Sequence, residues 1–210
     1  MLEAVRDRAR PYFDDASPAH DWHHVQRVET LAETLVDRHP ESTDERVVRL
    51  AVALHDIGRT REDRGKIDDH ASWGAREGGR ILRDLGAATE TVERVQHCIR
   101  AHRYSTATEP ATLEAKLVSD ADNLDALGAV RIARVFTYGG EIDEPIHDPT
   151  RSIEADDTDA GATQYNHFHK KILDLPERMY TDPGRDLAVD RAAFVRQYLD
   201  RFDGELSGES

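Results

Sequence analysis

Histidine and aspartate are the residue types here whose spacing allows chemistry. The chain has eleven histidines in 210 residues. Imidazole is the commonest metal ligand and a frequent acid–base group near neutral pH. His24 stands four residues before Val28, seven before Leu31 and eleven before Leu35. On a helix that spacing puts its ring on the apolar face, while His23 points elsewhere. Alone, such a histidine is more often a hydrogen-bonded core residue than a ligand. His55 falls four residues after Ala51, on the face that Leu50, Ala51 and Leu54 define, and Asp56 follows at once. A carboxylate at the inner end of an apolar helix carries a large desolvation cost unless it is paired or bound to a metal. Asp120, Asp122 and Asp125 lie in a third, largely apolar element, Leu117 to Asp125. A carboxylate from it would bring the ligand count to four and leave positions open for water and substrate. Such a set suits Mn, Fe, Zn, Ni or Co, and less obviously Mg alone. Helical periodicity does not choose between Asp120 and Asp122.

The elements that must position these groups read as helices. Leu2 to Phe13 makes a short first helix, and Asp21 to Arg38 a stronger one with Val25, Val28, Leu31 and Leu35 inward. Thr43 and Asp44 precede a capped helix carrying Val47, Leu50, Leu54 and Ile57, which Gly58 ends. Asp69 to Leu85 is helical despite Gly74, Gly78 and Gly79, which mark close helix approach. Thr89 caps a helix with Val92, Val95 and Ile99 on one face, and Leu113 to Phe136 supplies one or two more. From Tyr138 to Thr163, glycines and prolines alternate with Glu154, Asp156, Asp157 and Asp159, which predicts a long acidic loop. Helical patterning resumes at Tyr165 to Tyr180, breaks at Asp182-Pro183-Gly184, and ends with Asp186 to Phe202; the tail from Gly204 to Ser210 should fray. Period-2 strands are absent. The expectation is an all-α fold in a single domain, residues 1–210. The metal-site core spans about 20–136, the acidic loop about 138–163 and the C-terminal helices about 164–203.

The pattern of an isolated His24, the adjacent His55-Asp56 in Ala53-Leu54-His55-Asp56-Ile57-Gly58, and a distant Asp122 in Ala121-Asp122-Asn123-Leu124 resembles the HD-domain metal-dependent phosphohydrolases. More of the chain is similar to a small stand-alone bacterial and archaeal branch of that superfamily. Asp120 to Ala129, Ile132 to Phe136, Asn166-His167-Phe168, Lys171-Ile172-Leu173 and Met179-Tyr180-Thr181 carry that similarity. The resemblance implies an HD-type helical bundle and a divalent ion (Mn, Co, Ni, Fe, Zn or Mg) on His24, His55, Asp56 and Asp122. It selects Asp122 over Asp120. It also implies hydrolysis of a nucleotide or similar small phosphate compound, with Asp56 orienting the attacking water. His70, opening a helix after Asp68 and Asp69, and His102, on the face of Val92, Val95 and Ile99, are candidates to approach the substrate phosphate or a second ion. Arg27, three residues from His24, is placed either to reach the pocket or to make a surface salt bridge. His167 and Lys171 match the branch but have a structural role equally open; His97 faces outward; His20, His23, His39, His147 and His169 read as surface or supporting residues. Two departures stand out. Asn123 replaces an expected Arg, and Glu62-Asp63 comes too late after the doublet for alarmone hydrolysis. The alternatives are a phosphodiesterase of cyclic nucleotides or nucleic-acid ends, and a non-catalytic nucleotide-sensing module.

Composition bounds the rest. Asp and Glu total 42 against 28 Lys and Arg, a net charge of −14. That field repels polyphosphate backbones and disfavours a non-specific nucleic-acid binder. Lys66, Lys116, Lys170 and Lys171 are the four lysines. Excess carboxylate with scarce lysine predicts adaptation to a salty cytoplasm, as in a halophilic archaeon. One cysteine, Cys98, excludes an intramolecular disulfide and a cysteine-based zinc site. No apolar run reaches membrane-spanning length and no signal-like stretch opens the chain, so a cytoplasmic protein with no membrane partner is expected.

Overall fold

The computed structural model describes residues 1–103 and 108–209, and every regular element among them is helical. The order is α1 (Leu2–Ala9), α2 (Trp22–Arg38), α3 (Glu45–Leu54), α4 (Arg59–Asp63), α5 (His70–Asp84), α6 (Thr89–Ala101), α7 (Leu113–Asp125), α8 (Gly128–Glu141), α9 (Gln164–His167) and α10 (Asp182–Ser207). The all-α expectation holds.

Capping chemistry starts the helices that matter. The Asp21 carboxylate accepts from His24 N at the head of α2, Asp44 from Val47 N at α3, and Asp69 from Ala71 N and Ser72 N at α5. Each satisfies amide donors that the first helical turn leaves open. Helix α3 is apolar nearly all round, with Val47, Val48, Leu50, Ala51, Val52, Ala53 and Leu54 buried. Such a helix must run through the centre, and α1, α2, α6 and α7 pack around it. Helix α5 lies against α6 at close range, because a Cβ on Gly78 would stand 3.1 Å from Ile99 Cδ1 and 3.4 Å from Leu54 Cδ1. One continuous apolar core runs from Val5 through Ile57, Ile99 and Leu124 to Leu199.

Several boundaries differ from the sequence expectation. The first helix tightens to a 3₁₀ turn over Arg10–Phe13. Ala88, not Thr89, is the N-cap of α6, and no side chain caps that helix. Helix α8 continues through Gly139 and Gly140 to Glu141, so the acidic loop spans 142–163. Inside it the Asp156 carboxylate accepts from Thr158 N (3.0 Å), Thr158 Oγ1 (2.6 Å), Ala162 N (2.7 Å) and Asn166 Nδ2 (2.8 Å), which folds the loop on itself. The stretch expected to be one helix over 165–180 is instead α9, a π-turn at Phe168–Ile172 and a 3₁₀ turn at Leu175–Arg178. Asp182-Pro183-Gly184 is not a break but the first turn of α10, where proline's missing N–H costs nothing. The Thr181 side chain caps it by accepting from Gly184 N. The tail is helical to Ser207 and closes on Gly208 in the left-handed region, φ 76°; Ser210 lies outside the described residues.

Candidate metal centre

The α3 helix ends at Leu54, so His55 and Asp56 occupy the turn that follows it, facing α2 and α7. His24 comes from α2, His70 from the first turn of α5, His102 from the C-cap of α6, and Asp122 from α7. His24, His55, His70 and His102 are all buried, at 1, 0, 1 and 1% exposure.

Their ring nitrogens follow one rule. Every Nδ1–H is spent on an oxygen. His55 donates to Val52 O (2.8 Å) and His102 to Ile99 O (2.7 Å), each three residues back on its own chain. His24 donates to Asp125 Oδ2 (2.8 Å) and His70 to Glu62 Oε2 (2.5 Å). That leaves the four Nε2 atoms aimed inward, with His24 Nε2 3.4 Å from Asp122 Oδ1 and His70 Nε2 3.1 Å from Asp56 Oδ1. They meet in pairs, His24 Nε2 to His55 Nε2 at 3.3 Å and His70 Nε2 to His102 Nε2 at 3.3 Å. Two facing lone pairs repel unless a cation or a proton lies beside them. Fixing a ligand's tautomer through the other ring nitrogen is the usual support of a metal-binding histidine.

Asp56 sits between the two pairs. Its Oδ2 lies 3.6 Å from His24 Nε2 and 3.8 Å from His55 Nε2, and its Oδ1 lies 3.1 Å from His70 Nε2 and 3.6 Å from His102 Nε2. Asp122 Oδ1 faces the first pair, 3.4 Å from His24 and 3.8 Å from His55. Two donor groups result, His24–His55–Asp122 and Asp56–His70–His102, each with ligand atoms close enough to share an ion. The donor chemistry fits a divalent cation of the borderline kind.

Electrostatics follows from burial and neighbours. Burial pulls the His24 imidazole down, but bonds to Asp122 and Asp125 outweigh it and hold it at about 9. Burial lowers His55. Burial opposes charge on Asp56, yet His55, His102 and His70 hold it well below the ordinary carboxylate range. Asp122 and Asp125 are likewise depressed against their burial, in both cases chiefly by the bond from His24.

The neighbouring aspartates part company. Asp120 is fully buried and turned away, accepting from Tyr180 N (2.8 Å), Thr181 N (2.8 Å) and Thr181 Oγ1 (2.6 Å), so it ties α7 to the head of α10. Asp125 also accepts from Arg27 Nε (2.8 Å) and from Arg134. Arg27, a third exposed, makes the salt-bridge placement of the two expected for it, with the Asp125 that supports His24 as its partner. His97 accepts a bond from Ala111 N, away from the site.

Over the donor groups opens a cavity of about 180 Å³ whose wall carries Arg59, Arg103, Arg131, Arg134 and Lys171. A locally cationic wall in a chain of net charge −14 offsets the long-range repulsion of a phosphate. His167, expected to be equally open to a structural role, lines this cavity. Its Nδ1 donates to Ala160 O (2.7 Å) and its Nε2 accepts from Arg131 Nη2 (3.0 Å). His20 was read as surface or supporting and lies in the cavity wall, where burial and Arg59 push its imidazole well below the ordinary value. Arg59 and Arg134 carried no sequence signal toward the site. Glu62 had one clue, a carboxylate eight residues before an inward histidine. No described helix is long and apolar enough to cross a membrane.

Comparison with known proteins places this geometry. Residues 21–127, α2 through α7, match the HD domain family. The uncharacterized protein YpgQ of Bacillus subtilis is 32% identical over 99% of this chain and 95% of its own. A structure of YpgQ in complex with ADP superposes with a TM-score of 0.76 at 28% identity, covering 100% of both chains. An HD-superfamily hydrolase from Bacillus thuringiensis gives 0.77 at 28% identity, over 98% of this chain and 96% of that one. These relatives are bacterial and lend no support to an archaeal source. With its histidine–aspartate doublet at the turn after α3 and the family match spanning both donor groups, the chain belongs to the HD-domain superfamily of hydrolases.

Proposed function

We propose that this protein is a metal-dependent phosphohydrolase that cleaves phosphate ester or anhydride bonds of a nucleotide or similar small phosphate compound. The observation that carries it is the convergence of four tautomer-fixed imidazoles and two carboxylates beneath a cation-lined cavity. His24, His55, Asp56 and Asp122 would hold the ion. A divalent cation there supplies Lewis acidity, lowering the pKa of a water and polarising a phosphoryl oxygen. The chain's own groups do the rest. Asp56, between the two histidine pairs, orients the attacking water. His70 and His102, across Asp56, face the substrate phosphate, and Glu62 holds His70 in place. Arg59, Arg131, Arg134 and Lys171 neutralise phosphate charge as it shifts toward the leaving oxygen. The ADP held by YpgQ supports a nucleotide as the ligand class. The continuous core supports reading residues 1–210 as a single domain.

The test is a metal-by-substrate screen on purified protein, with phosphate and pyrophosphate release measured separately. Activity is expected to vanish on chelation and return with Mn, Co or Ni. Full activity in metal-stripped protein would refute the reading. A stoichiometry of two ions per chain would reassign His70 and His102 as ligands.

A further inference from the structure

Beside the metal pocket lies a second chamber of about 380 Å³, against about 180 Å³ for the first. The two share a wall made by His20, Arg59, Arg131 and His167. Small-molecule sites run from roughly 300 to 1,000 Å³, so the metal pocket alone is undersized for a whole nucleotide and the second chamber supplies the missing room. Its lining is different in kind. Val135, Tyr138 and Ile142 give it an apolar and aromatic side, and Glu144 and Gln164 are polar groups set into it.

That polar pair is built. Gln164 is only 3% exposed and enters against Gly139, where a Cβ would stand 2.5 Å from its Cδ. Its Nε2 donates to Glu144 Oε2 at 2.6 Å. A carboxylate only accepts, so this bond fixes the amide orientation and leaves Gln164 Oε1 as an acceptor. The backbone holds both partners, because Gln164 N donates to Pro145 O (3.0 Å) and Glu144 N to Gly139 O (2.9 Å). The pair thus offers acceptors, Gln164 Oε1 and the second Glu144 oxygen, to whatever lies in the chamber. In the shared wall, His20 Nδ1 is buried with no hydrogen-bond partner among the described residues. A buried polar atom of that kind calls for a ligand group.

We propose that the second chamber seats the nucleoside half of the substrate, with the base against Tyr138 and its donor edge on the Glu144–Gln164 pair. The inference rests on the phosphohydrolase reading and deepens it to a base preference. Guanine presents two adjacent donors, N1–H and the N2 amino group, and matches two acceptors. Adenine and cytosine present one amino group beside an acceptor, and uracil presents no amino group. The expected order is guanine, then adenine and cytosine, then uracil.

The experiment uses the metal-loaded full chain. It measures kcat/KM for the four ribonucleoside triphosphates and for inorganic tripolyphosphate, and calorimetric binding of the four imido-bridged triphosphate analogues. Guanosine is expected to exceed uridine at least tenfold in both readouts. Glu144→Gln puts a donor where an acceptor stood and should collapse that ratio toward one. Tyr138→Ala should cut the ratio of nucleotide to tripolyphosphate about tenfold. Gly139→Ala, which displaces Gln164 and leaves Glu144 in sequence, serves as a second probe of the pair should Glu144→Gln fold poorly, and should lower the guanosine preference. Equal handling of the four bases, or variants that move nucleotides and tripolyphosphate together, would overturn the proposal. Absence of hydrolysis with every metal would refute the phosphohydrolase reading instead, and the analogue binding would still decide the chamber.

Discussion

Asp125 ties a histidine of the first donor group to two arginines, and replacing it with Asn separates charge from shape. The side chain is 2% exposed and accepts from His24 Nδ1, Arg27 and Arg134. Asn keeps the volume but has one acceptor oxygen and a donating NH₂. If that NH₂ takes the place of Oδ1 it opposes Arg27 Nε, and in either orientation Arg134, 8% exposed, keeps a buried charge without its counter-ion. Removing one partner of such a pair costs about 3–5 kcal/mol. At about 2–4 °C per kcal/mol for a chain of this size, the melting temperature should fall by roughly 6–20 °C. If the NH₂ instead takes the place of Oδ2 it opposes Arg134 and faces His24 together, so Nδ1 must become the acceptor and the ring proton moves to Nε2. That blocks the lone pair the metal needs, and loss of such a supporting group costs about 10–100-fold in metal affinity. The assay pairs a denaturant melt with a Mn titration followed by calorimetry. A destabilisation under about 1 kcal/mol together with unchanged Mn affinity would refute the argument that Asp125 organises the site.

Three further outcomes follow from the geometry. Asp122→Ala should lose bound metal by elemental analysis, whereas Asp120→Ala should retain it and lose about 1–3 kcal/mol of stability by leaving the buried Thr181 N–H without its acceptor; the reverse order would mean the two carboxylates have been exchanged. The Asp156 carboxyl is held below its ordinary value, first by the Thr158 hydroxyl and then by the Ala162 amide. A depressed carboxylate stabilises above its unfolded value, about 3.9, and that stabilisation fades as pH falls through the folded value. Asp156→Asn should therefore expose the 142–163 loop to protease at pH 7, with the gap from wild type closing below about pH 4; a gap that widens in acid would contradict the sign. Molar KCl should raise the melting temperature, because screening shortens the reach of carboxylate repulsion from about 10 Å at 0.1 M to about 3 Å at 1 M; an unchanged or lower midpoint would remove the salt-adaptation expectation.

What the sequence made legible was whatever depends on one helix at a time. The face of His24, the apolar run before His55-Asp56 and the cap at Asp44 are local signals, and the structure reproduces them. Asp120 and Asp122 share a helix whose periodicity does not choose between them, and the similarity to HD hydrolases makes the choice; the structure turns Asp122 toward the imidazoles and Asp120 toward Thr181. The supports were illegible because their partners are remote in sequence. Nothing near Asp125 announces His24, and nothing near Gln164 announces Glu144 or the cleared space at Gly139. The misplaced break at Asp182-Pro183-Gly184 has a different origin. Proline and glycine were read as helix breakers, whereas Thr181 before them makes the same residues a helix start.

The bond between His24 and Asp125 joins residues 101 positions apart. Closing a loop of that length costs about 4 kcal/mol in chain entropy alone, and no short-range pairing can substitute for it. At roughly 5–20 residues per second of synthesis, α2 leaves the ribosome about 5–20 s before α7. Throughout that interval the first histidine has neither the carboxylate that sets its tautomer nor the Asp122 that faces it. An ion held by this donor group would therefore be captured only once α7 has docked, by a finished bundle and not by a nascent one.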